Sequence, residues 1–241
     1  MCELLGYRLQ PRDIEPKLRE LIKITSLVEP ALAARLKTVW RWVKDVNSGL
    51  MMRKKFLMAF LLELIKDVEA WIDLKVLSEE ERQLVLDQVT PTVKYWYEVL
   101  FPKWFNQHDP KFDTWKRKLR SGEFNPEDKD TLKSIARQIE SSGGSVVQRY
   151  VIDLSMATDL VTSGHLVNPL CVQITSIAEE SSLKDKIDKW KKTLRDWEIE
   201  RALFVSINPG KRDEGVKLAG NLIVFNSDRM LDKSLKEFVF N

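Results

Sequence analysis

The apolar positions follow a helical period through the first half of the chain. Leu18, Leu21, Ile22 and Ile24, with Leu27 and Val28, recur at three- and four-residue spacing, the period of one helix face. Pro30 stands where a second helix begins, and Leu32, Leu36, Val39, Trp40 and Val43 continue the same period. Asn47-Ser48-Gly49 is a stop and turn signal. Leu50 to Leu74 reads as a long buried helix. Ser78-Glu79-Glu80-Glu81 opens the next, with Ser78 as N-cap and Glu81 three residues on completing a capping box. Thr90-Pro91 interrupts that helix before the aromatic run Tyr95-Trp96-Tyr97, and Pro102 is expected to end it.

Beyond the Pro-, Gly- and charge-rich stretch from Asp109 to Asp130 the pattern shortens. Asp130 to Ser141 fits a helix ended by Gly143-Gly144. Ser145 to Leu154 reads as a strand, although Val146, Val147, Tyr150, Val151 and Leu154 also fit a helix. Leu160 to Val167 is a short run broken at Gly164, and Leu170 to Thr175 is a compact strand. Leu183 to Trp197 is an amphipathic helix. Ala202 to Ile207 and Leu222 to Phe225 read as two further strands, and Leu231 to Phe238 as a last helix. A helical crossover between apolar strands marks an α/β arrangement. The expected fold is therefore an α+β chain in two parts: an all-α, Trp-rich domain over residues 1–125 and an α/β domain over residues 126–241.

Composition narrows the function classes. Hydrophobic residues at 44% and charged residues at 31% are ordinary for a chain with a sizeable core. No run approaches the ~18 apolar residues that span a bilayer, and no leader pattern is visible, so a cytoplasmic protein without a membrane partner is expected. Cys2 and Cys171 are too far apart in character and position to suggest a disulfide framework. Residues 1–125 hold 22 of the 39 Lys and Arg but 18 of the 36 Asp and Glu, so any electrostatic footprint for nucleic acid belongs to the helical half.

Six of the eight tryptophans also lie there: Trp40, Trp42, Trp71, Trp96, Trp104 and Trp115. Their bulk suits a bundle core, and the alternative is a set of stacking platforms for bases. Trp104 and Trp115 beside Lys116-Arg117-Lys118-Leu119-Arg120 carry the second reading best, with Lys116, Arg117, Lys118 and Arg120 as the nucleic-acid candidates. Arg53-Lys54-Lys55 reads as a solvated face. No zinc-ligand spacing, nucleophile elbow, P-loop or dinucleotide fingerprint is present.

One constellation carries chemistry: Asp159, then thirteen residues, then Gln173-Ile174-Thr175. Residues i and i+2 of a strand face one side, so Gln173 and Thr175 aim at one point. This pattern, in the order helix, Gly turn, strand, acid-bearing strand, triplet strand, amphipathic helix, strand, resembles the core of the PD-(D/E)XK nucleases, a superfamily that includes restriction endonucleases and archaeal Holliday-junction resolvases. The resemblance covers roughly residues 127–225. It implies that Asp159 and Gln173, with Asp130 as the helix-borne acid, hold Mg²⁺, and that Gln173 and Thr175 occupy the acid and Lys positions of the triplet. Thr175 lacks the ammonium that the family pattern places there. Lys184 or Lys186 of the following helix could replace it, and Lys184 is taken as the site residue. Asp153 competes with Asp159, and Glu140 with Asp130.

The leading expectation is a nuclease-fold protein that has lost catalysis and acts as a binding or assembly subunit. The alternatives are an active Mg²⁺-dependent nuclease with an altered triplet, and a helical adaptor that docks a protein partner through residues 1–125.

Overall fold

A computed structural model describes residues 9–46, 55–121, 126–166, 168–176, 179–208, 210 and 212–240. The chain forms two compact units that interleave in sequence: Met1–Leu84 with Phe112–Phe124, and Val85–Lys111 with Asn125–Asn241. The segment 85–111, whose composition groups it with the helical half, therefore packs with the sheet.

In the helical unit, α1 (Pro11–Val28) starts where the Asp13 carboxylate accepts from the Gln10 backbone N–H at 2.9 Å. It turns sharply at Glu29 into α2 (Pro30–Lys44), whose first residue is a proline that needs no N–H partner. Ile14, Leu18 and Leu21 on α1 and Leu32, Leu36 and Val39 on α2 are buried, as their spacing requires. Helix α3 (Lys55–Val76) adds Phe60, Leu61, Leu64 and Val68. Residues 50–54 of the expected long helix, with Arg53 and Lys54, lie outside the described residues. Helix α4 (Glu79–Asp87) carries the expected capping box: Ser78 Oγ accepts from the Glu81 N–H at 3.2 Å, and the Glu81 carboxylate accepts from the Ser78 N–H at 3.0 Å.

In the second unit, α5 (Pro91–Tyr95) runs through a π turn (Trp96–Leu100) into α6 (Phe101–Asn106). Pro102 does not end this helix. The π turn shifts the register, so that the Phe101 N–H reaches the Trp96 carbonyl five residues back, and Pro102 falls at the start of α6, where a missing N–H is tolerated. The Thr92 and Ser145 hydroxyls, 3.1 Å apart, tie α5 to the sheet, and Lys103 pairs with Glu198 at 2.9 Å.

Within the helical unit the remaining helix, α7 (Phe112–Ser121), turns Trp115 and Leu119 into the core. Trp115 meets Trp42 edge-on at 5.6 Å and Phe60 at 5.2 Å.

The sheet unit continues with α8 (Pro126–Ser141), β1 (Ser145–Val147), α9 (Tyr150–Met156), β2 (Leu160–Ser163), β3 (Leu170–Thr175), α10 (Glu180–Asp196), β4 (Ala202–Ser206), α11 (Arg212–Arg229) and β5 (Leu235–Val239). The strands lie in the order β1-β2-β3-β4-β5. The first two pairings are antiparallel and the last two parallel, with α10 and α11 as the crossovers. Three local expectations are corrected. Of residues 145–154 only the first three form a strand. Residues 222–225 lie inside α11, where Ile223 buries one turn after Ala219, and a four-residue apolar run does not by itself separate strand from helix. Of residues 231–238, expected as a helix, 235–238 belong to the edge strand β5, because its neighbour β4 offers an unpaired parallel edge and Phe238 and Phe240 pack on the core.

The sheet is covered unequally. Leu170, Val172 and Ile174 of β3 join Leu203 and Val205 of β4, Ile135 and Ile139 of α8, and Ala219 and Ile223 of α11 in one apolar cluster. The alternate residues face α10, where Trp190 packs on Phe204 at 5.3 Å. Arg201 fixes the far end of the sheet by donating to the carbonyls of Asn168, Pro169, Ser227 and Met230, joining the β2–β3 loop to the C-terminus of α11. Burial lowers the pKa of its guanidinium.

Candidate functional site

Ala157, in the left-handed region at φ 50°, ends α9 and turns the chain into β2. The Asp159 N–H donates to the Val172 carbonyl at 2.8 Å, so Asp159 extends the β2–β3 ladder by one residue. Its side chain continues the same ladder: Oδ2 accepts from the Ile174 backbone N–H at 2.6 Å. The Gln173 amide nitrogen donates to that same oxygen at 2.5 Å and to the Ile174 carbonyl at 3.2 Å. Asp159 and Gln173 therefore meet, as the resemblance implies.

Two positions on, Thr175 stands on the same face of β3, about 7 Å along the strand from Gln173. Gln173 and Thr175 are 8% and 6% exposed, an unusual burial for polar residues in the middle of a sheet. The Lys186 ammonium, from the second turn of α10, donates to Thr175 Oγ1 at 2.8 Å. Ser206 lies beside Thr175 on the parallel strand β4 and is also buried. These groups gather at the C-terminal ends of β3 and β4, the edge at which open α/β sheets leave room for ligands.

The other candidates are placed apart. Lys184 is exposed on α10. Helical periodicity distinguishes the two lysines: Lys186 precedes the buried Trp190 by one turn and so faces the sheet, whereas Lys184 falls on the outer side. Asp130 is three-quarters exposed and pairs with Lys133 of its own helix at 3.7 Å. Its helix packs its buried side chains on the opposite face of the sheet from Gln173. Glu140 is exposed near the end of that helix, and Asp153 lies in the first turn of α9 rather than in a strand. Among the described residues no three His, Cys, Asp or Glu side chains group as a metal site.

The donor set at Asp159 nevertheless suits a hard cation. The Gln173 NH₂ bridges two acceptor oxygens, Asp159 Oδ2 and the Ile174 carbonyl. Rotating the amide places its own oxygen beside them. One carboxylate, one amide oxygen and one main-chain carbonyl are oxygen ligands of the kind Mg²⁺ takes.

Elsewhere, Cys171 of β3, between β2 and β4, is buried, and burial pushes its thiol up to about 12, which leaves it unreactive. Trp104 and Trp115 are 0% and 1% exposed, so neither offers a ring to a base. Of the basic run on α7, Lys116 pairs with Asp113 at 2.6 Å and lies over the Phe112 ring at 4.5 Å, while Arg117, Lys118 and Arg120 are exposed. Lys116 holds the Asp113 carboxyl below its ordinary range.

No protein-family model, curated protein or solved structure matches the chain. Among the described residues no helix is long and apolar enough to cross a membrane.

Proposed function

We propose that the second unit is a PD-(D/E)XK-like nuclease domain that hydrolyses nucleic-acid phosphodiesters with Mg²⁺, its triplet lysine having moved to Lys186. The order α8, β1, α9, β2, β3, α10, β4, with antiparallel pairing of β1, β2 and β3 followed by a parallel crossover to β4, supports the family reading, with α9 inserted between its first two strands. The observation that carries it is the Lys186 ammonium at Thr175 Oγ1. It restores a cation at the position where the sequence has only a hydroxyl.

Asp159, the Gln173 amide oxygen and the Ile174 carbonyl are the groups that would hold the metal. The bound ion would supply Lewis-acid stabilisation of the phosphate and a more acidic water. Hydrolysis adds water oxygen to phosphorus, breaks one P–O ester bond and leaves the departing oxygen protonated. Lys186 contributes charge stabilisation on the phosphate oxygens or orients the attacking water, and Thr175 holds its ammonium. Asp159 is itself held in place by the Ile174 N–H.

The competing reading, a binding or assembly subunit without catalysis, draws on the single carboxylate at the site and on the remote Asp130. A cleavage assay on labelled DNA and RNA, with Mg²⁺ and with EDTA, separates the two. Asp159→Ala and Lys186→Ala are expected to lower the Mg²⁺-dependent rate by about 100-fold or more, and Lys184→Ala to leave it unchanged. A Lys186→Ala protein that cleaves as the wild type does would remove the migrated lysine. The absence of Mg²⁺-dependent cleavage by the wild-type chain would favour the binding subunit.

A further inference from the structure

The cationic side of α7 lines a cleft of about 470 Å³ in the helical unit, with Trp42, Asp113, Lys116, Arg117, Arg120 and Ser121 around it. Lys118, adjacent in sequence, is not one of its lining residues. Among the described residues that line it, three cations face one acid, and that acid is already paired with Lys116. Arg117 and Arg120, one turn apart, form no hydrogen bond or ion pair with any described residue, so among the described residues nothing neutralises these two guanidinium groups in one concave place. Trp42, almost wholly buried, closes one side with an apolar wall.

We infer that this cleft is a second, sequence-independent contact site for a nucleic-acid phosphate backbone, made by Arg117 and Arg120 with help from Lys116. The inference rests on the reading of the other unit as a phosphodiester enzyme, which makes the polyanion a nucleic acid. A guanidinium presents a planar fork that matches two phosphate oxygens, and backbone contact of this kind carries affinity without sequence choice. A lipid surface fits less well. The apolar residues of α7, Trp115 and Leu119, are turned into the core, and Phe112 lies under the Lys116 ammonium, so the helix has little to insert between acyl chains.

The test is the salt dependence of binding of a fluorescent duplex DNA to the full chain in EDTA, where metal-dependent cleavage is stopped. Each phosphate contact contributes about one to the slope of log K against log salt. The Arg117→Ala/Arg120→Ala double variant is expected to lower that slope by about two, and Lys118→Ala to leave it unchanged. An unaltered slope in the double variant, an equal loss in Lys118→Ala, or competition by polyglutamate as effective as that by unlabelled DNA would each overturn the inference. Cleavage measured separately on the wild-type chain distinguishes the two claims. A reduced slope without cleavage removes the nuclease and leaves the cleft, and cleavage with an unaltered slope does the reverse.

Discussion

The two faces of β3 solve the same packing problem in opposite ways. Leu170, Val172 and Ile174 point to α8 and α11 and are sealed in an apolar cluster. Cys171, Gln173 and Thr175 alternate with them, are equally buried, and include two polar side chains under α10. Burying such groups is unfavourable unless each is hydrogen-bonded, and here each is: Gln173 by Asp159 and the Ile174 carbonyl, Thr175 by Lys186. An apolar strand would have packed on α10 with less demand on geometry. One face is thus a buried polar row held between the Asp159 carboxylate and the Lys186 ammonium, and the other is sealed by apolar contact alone.

The comparison breaks most sharply at Leu170. Truncating this fully buried side chain to alanine removes its transfer energy and opens a cavity against α8 and α11, so Leu170→Ala is expected to cost about 3 kcal/mol in urea denaturation. Cleavage by the fraction that remains folded should keep its wild-type rate per folded molecule, because the lost atoms face away from Gln173. A variant that lost catalysis in proportion beyond its unfolding would show that the two faces are not independent.

Much of this division was legible in the residues. The run Leu170 to Thr175 marked a buried strand, and the shared face of Gln173 and Thr175 followed from the two-residue period. The meeting of Asp159 with Gln173 was what the family resemblance implied. The choice of Lys186 over Lys184 was also available, because only Lys186 lies one turn before Trp190 on the sheet-facing side of α10. What was not legible had a common physical cause. The helix containing Leu222 to Phe225 and the strand from Leu235 take their state from tertiary partners: a sheet face that buries Ile223 in one case, an open edge of β4 in the other. Two of the three passages of the chain between units, at residues 85 and 112, depend on where Trp96, Phe101 and Trp104 find a core, and no local pattern encodes that. The hydrogen bonds that the Ile174 N–H and carbonyl make with Asp159 and Gln173 leave no signature in side-chain identity at all.

A smaller effect, and a sharper one for the metal, is expected from Gln173→Glu. The substitution sets a second carboxylate against Asp159 where an amide N–H now donates. Without metal the two like charges repel, which raises the pKa of the introduced acid above its unfolded value. A carboxyl with a raised folded pKa loses stability as it ionises, so the variant should match the wild type at low pH and fall behind it by about 1–2 kcal/mol once pH passes the raised pKa. Mg²⁺ should reverse the loss, because two carboxylates bind the ion more tightly than one and ligand binding to the folded state stabilises it. The readout is a thermal melt at pH 8 with and without Mg²⁺, which requires no activity. A deficit that Mg²⁺ leaves untouched would mean that this end of the polar face is only a hydrogen-bonded lock.

The smallest change in stability is expected from Thr175→Val, which tests the other end of the same face. Valine keeps the shape and β-branching of threonine in a strand that favours both, and removes only the oxygen that accepts from Lys186. The lysine is partly exposed and regains water, so no buried donor is stranded, and the cost should stay below about 1 kcal/mol. If Thr175 serves to hold the ammonium, the Mg²⁺-dependent cleavage rate should nevertheless fall, by about tenfold, and Thr175→Ser, which keeps the hydroxyl, should restore most of it. A valine variant that cleaves as the wild type does would place Thr175 with the apolar residues on the reverse of its own strand: a side chain that fills space, next to a lysine that needs no support.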